Sequence, residues 1–110
     1  MERPNAWLTY SDADMQDLET VAKKYRHFLN VGKTERECIT QIVKEAEEAG
    51  YVSLEEKVKN GEDLKAGDKV YQVGMQKIIA LYHIGEEDLA QGMNILCAHI
   101  DSPRLDIKQN

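Results

Sequence analysis

Residues Asn94 to Lys108 read NILCAHIDSPRLDIK, and the fold and the chemistry of this chain both turn on that stretch. A compact apolar run (Ile95, Leu96, Cys97, Ala98) leads to His99, then Asp101, then Pro103, which cannot continue a central strand. Side chains of an extended segment alternate faces with period two, so His99 and Asp101 are predicted to project on the same side. Neutral imidazole is a common zinc ligand, and a nearby carboxylate can fix its tautomer and raise its basicity. The stretch therefore reads as a buried strand carrying half of a metal site at its mouth. The plainer alternative is a strand-end histidine hydrogen-bonded to a turn aspartate, with no metal, and spacing alone favours it.

Upstream lies a polar connector, Gly85 to Gly92 (GEEDLAQG), and before it a strand-like run, Lys77 to Ile84 (KIIALYHI). Ile78, Ala80, Tyr82 and Ile84 are predicted to share one face of that strand. His83 within it reads as a surface or core residue rather than a ligand. Lys69 to Val73 alternates as a half-exposed strand, after turn chemistry at Lys65-Ala66-Gly67-Asp68 and before a break at Gly74. Asn94 to His99, apolar on both faces, is predicted to be a strand covered from both sides. Leu105 and Ile107, alternating with Asp106 and Lys108, suggest one further short strand.

The first sixty residues have helical periodicity. Ser11, with Asp14 three residues on, opens a helix whose apolar stripe comprises Met15, Leu18, Val21, Ala22, Tyr25, Phe28 and Leu29. Gly32 ends it. Thr34 and Glu37 form a second capping box, starting a helix with Cys38, Ile39, Ile42, Val43 and Ala46 inward and Gly50 as its stop. Ser53 and Glu56 begin a shorter third helix running to about Asn60-Gly61. Tyr25, His27 and the Glu45/Glu47/Glu48 cluster read as packing or solvated surface. Trp7 and Leu8, in an irregular lead-in, read as anchors onto some other surface. The fold class is α/β, with N-terminal helices followed by β-strands.

Composition narrows the function. The 110 residues amount to one domain or less. A net charge of −6, a pI near 5.0 and the lack of any basic stripe argue against a nucleic-acid or anionic-membrane surface. The opening MERPNAWLTYSD has no apolar signal-peptide core, and no apolar run is long enough to span a bilayer. Cys38 and Cys97 lack CxxC spacing and read as reduced packing residues. A cytoplasmic location is the expectation.

YRHFLNVGKTEREC (25–38), KAGDKVY (65–71) and GMNILCAHIDSPRLD (92–106) occur here in an order and with residues that closely resemble the M18 family of metalloaminopeptidases, the aspartyl aminopeptidases, in its bacterial branch. The resemblance covers roughly residues 20 to 110, and its specific part is His-Ile-Asp-Ser-Pro-Arg. Other co-catalytic zinc exopeptidases also carry His-x-Asp at a strand end but typically continue differently. One departure is Gly74-Met75-Gln76, where relatives usually have a more polar turn.

The resemblance implies a two-metal exopeptidase, most simply with two zinc ions although other divalent metals would serve. It implies a three-layer αβα core carrying an inserted β-rich domain, a peptide substrate, and homo-oligomeric assembly into a closed shell. It assigns His99 as a metal ligand and Asp101 as the catalytic-site carboxylate that orients it. The bridging carboxylate, the general-base glutamate and the other ligands lie downstream in that family. On this reading residues 1–110 are the N-terminal part of the catalytic domain, with an incomplete site and no activity alone. Arg104 is a candidate for holding a carboxylate near the site, although an ion pair fits it better, and Asp106 reads as a strand-surface residue. The alternative is a non-catalytic α/β interaction or oligomerisation module that keeps only the start of the fold. Either way, the chain by itself is predicted to expose a sizeable apolar patch.

Overall fold

A computed structural model describes residues 5–101, 105 and 107–109. Its helices begin where local side-chain chemistry says they should. The Ser11 hydroxyl accepts the Asp14 N–H while the Asp14 carboxylate accepts the Ser11 N–H at 2.8 Å, and α1 spans Asp12–Val31. Thr34 and Glu37 repeat the arrangement, with Glu37 Oε2 also accepting the Lys33 N–H, and α2 spans Glu35–Glu48. Each box satisfies amide groups that the first helical turn leaves without partners.

At the corner between them the Gly32 N–H donates to the Phe28 carbonyl. A Cβ on Gly32 would lie 2.9 Å from Cys38 Sγ, so the close approach of α1 and α2 depends on the missing side chain.

After Gly50, in the left-handed region (φ +86°), the chain enters a two-residue strand β1, Val52–Ser53. Ser53 also caps α3, Leu54–Asn60, and Gly61 (φ +68°) ends that helix. The chain returns as β2, Lys69–Gly74, parallel to β1 with Val52 opposite Val70, and then β3, Ile78–His83, runs antiparallel to β2. The result is a mixed sheet ordered β1-β2-β3, with α3 as the crossover between parallel neighbours.

The β2–β3 turn is unusual. Lys77 N–H donates to the Gly74 carbonyl at 3.0 Å, and the two central residues, Met75 (φ 49°) and Gln76 (φ 56°), both have positive φ. Three residues, Met75 to Lys77, separate the paired Gly74 and Ile78, and the turn's two left-handed central positions are filled without the glycine or asparagine such positions prefer.

The core is small. Cys38, Ile39 and Ala46 of α2 and Val70 of β2 are its buried apolar residues among those described, Val70 being 0% exposed. Burying a valine of that kind contributes about 1.5–3 kcal/mol. α1 contributes no fully buried residue; Leu18, Ala22, Phe28 and Leu29 are half-buried, and Val21 and Tyr25 are exposed.

The three helices and the strands expected at Lys69–Val73 and Lys77–Ile84 hold to within a residue or two, while β1 has no counterpart in the sequence reading. The strand predicted at Asn94–His99 is corrected. The segment forms no strand, Ile95 and Leu96 are 71% and 100% exposed, and Cys97 is exposed rather than buried. An extended run becomes a strand only when neighbouring N–H and C=O groups meet its own, and none does among the described residues. The short strand predicted at Leu105–Lys108 is likewise absent at Leu105 and at 107–109, and Asp106 lies outside the described residues. Of the shared face predicted for β3, Ile78 and Tyr82 are exposed while Ala80 and Ile84 are half-buried. Trp7 and Leu8 are exposed as well, and the Trp7 ring meets Tyr10 at 5.7 Å between centroids.

Candidate metal centre

His99 and Asp101 do project together. His99 Nδ1 lies 2.8 Å from Asp101 Oδ1, although the two side chains are 81% and 72% exposed. No packing forces this contact. An exposed pair of this kind is worth only about 0–1 kcal/mol, so the extended backbone, which places alternate residues on one side, is what brings the groups within reach. With the proton on Nδ1, that N–H donates to the carboxylate and the Nε2 lone pair is left facing outward. This is the arrangement by which a carboxylate prepares an imidazole to bind a metal.

The donor chemistry fits one ligand and its orienting partner, and no more. Among the described residues no group of three or more His, Cys, Asp or Glu side chains could hold a metal ion. A zinc centre able to do hydrolysis needs about three protein ligands and an open position. Arg104 lies outside the described residues.

Another charged cluster lies away from this pair, and its members, Lys57, Glu62 and Asp68, have no spacing in the sequence that announces it. Lys57 Nζ of α3 lies 3.3 Å from both Glu62 Oε2 and Asp68 Oδ2, and Asp68 Oδ2 also accepts the Lys65 N–H at 3.0 Å. Hydrogen bonds to these carboxylates raise the Lys57 pKa, and the Lys65 N–H leads in lowering that of Asp68. The cluster borders a cleft of about 540 Å³ lined by Val52, Lys57, Glu62, Asp68 and Lys69 but by neither His99 nor Asp101. Its bonds tie α3 to the start of β2, a structural task. No helix among the described residues is long and apolar enough to cross a membrane.

Comparison with known proteins adds a family to this geometry. The family model described as Aminopeptidase I zinc metalloprotease (M18) matches residues 28–110. A probable M18 family aminopeptidase 1 of Clostridium acetobutylicum is 45% identical over 109 residues, covering 99% of this chain and 23% of that protein. Its counterpart in Thermotoga maritima is 38% identical over 114 residues, covering 100% of this chain and again 23% of the relative. The crystal structure of aminopeptidase I from Borrelia burgdorferi B31 superposes with a TM-score of 0.81 at 30% identity, over 92% of this chain and 24% of that one. That of the M18 aminopeptidase from Thermotoga maritima gives a TM-score of 0.78 at 35% identity, over 94% and 21%. The chain thus spans about a quarter of the length of the curated relatives it matches.

Proposed function

Because the chain belongs to the M18 family of aminopeptidase I zinc metalloproteases, we propose that it is the N-terminal part of the catalytic domain of an aminopeptidase, and that it brings one metal ligand and that ligand's orienting carboxylate to a site completed by a longer polypeptide. The observation that carries this reading is the 2.8 Å contact of His99 Nδ1 with Asp101. It lies within the stretch matched by the family model.

In this proposal Nε2 of His99 holds a divalent metal, most simply one of two zinc ions. Asp101 keeps the Nδ1 proton in place, fixes the ring's orientation and makes Nε2 a better donor. When bound, such a metal supplies Lewis acidity toward the scissile carbonyl of a peptide's N-terminal residue. Residues 1–110 are inactive alone, since one ligand with no positioned general base cannot carry out hydrolysis. Homo-oligomeric assembly and a cytoplasmic location belong to the same reading, and the exposed Leu96, Leu105 and Ile107 fit a chain that meets further protein surface.

The test uses a polypeptide that contains this chain and extends to the length of its relatives. His99→Ala should lose bound metal and activity together, as read by elemental analysis and release of N-terminal residues, with an unchanged circular dichroism spectrum. Asp101→Asn should keep its metal and lower turnover by about 10–100-fold. Full metal content and full activity in both variants would overturn the assignment.

A further inference from the structure

We draw no further inference here: the strongest candidate, the apolar face of α1 where Tyr10, Leu18, Val21, Ala22 and Tyr25 line a shallow groove, carries nothing because nothing in the structure shows what covers it.

Discussion

The Tyr71 hydroxyl donates to Glu47 Oε1 across 2.7 Å, joining the central strand of the sheet to the second helix. That bond, followed by desolvation and the negative charges of Glu47 and Glu56, pushes the Tyr71 pKa from 10.0 up to about 12. The folded state therefore holds this proton more tightly than the unfolded state does. The contribution is fully present below about pH 10 and is lost as pH climbs toward 12. Tyr71→Phe should lower the melting temperature at neutral pH, and the gap between variant and parent should close across that alkaline window. A gap that stays constant to pH 12 would show that the hydroxyl's partner does not matter.

At the acid end the corresponding group is Asp68. Its pKa lies below the ordinary 3.8, chiefly through the Lys65 N–H and secondarily through Lys57. A depressed folded pKa means stability that is present above about pH 3.8 and lost as pH falls through the folded value. Asp68→Asn should destabilise the chain at pH 7, with the deficit shrinking at pH values below the ordinary carboxylate range. Melting curves taken from pH 7 into the acid range would measure this, and a deficit that stays constant as pH falls would rule the carboxylate out as its source.

Gly32→Ala isolates a purely steric effect. The residue sits at φ −104°, where any L side chain is comfortable, so strain in the backbone is not involved. The new methyl would meet Cys38 Sγ at 2.9 Å, and Cys38 is 2% exposed with little room to retreat. Overpacking of this kind costs about 1–3 kcal/mol. Adding Cys38→Ala to Gly32→Ala should recover part of that loss in a denaturant titration. If the double substitution is no better than the sum of the singles, the contact with Cys38 is not the cause, and the Phe28 carbonyl oxygen, 3.2 Å from the new methyl, is the remaining obstacle.

The β2–β3 turn invites the opposite experiment. Met75 and Gln76 each occupy the left-handed region, at roughly 1–2 kcal/mol per ordinary residue. Met75→Asn with Gln76→Gly installs the pair that this turn geometry favours and should stabilise the chain by about 1–2 kcal/mol. The denaturation midpoint should rise with an unchanged slope, while a fall would mean that the turn is not of this type.

How much of this was legible in the sequence follows from the range of each interaction. Ser11 with Asp14 and Thr34 with Glu37 are three residues apart, and local bonds of that reach can be read directly, so the helix starts were found. The His99–Asp101 contact was legible for the same reason, since period two is a property of the backbone alone. Lys57, on the crossover helix, and Asp68, at the approach to β2, are eleven positions apart, and nothing in their spacing announces the pair. β1 has only two residues and owes its existence to Val70 and Tyr71 opposite it. Ile95 to Ala98 misled because a doubly apolar run tells what covering it wants, not whether that covering is supplied.

The bareness of Leu96, Leu105 and Ile107 sets the terms on which this polypeptide can be handled. Prepared by itself, it should cling to phenyl resin, brighten an environment-sensitive fluorophore and demand dilute working concentrations. Mild detergent should loosen that stickiness without disturbing the helical signal.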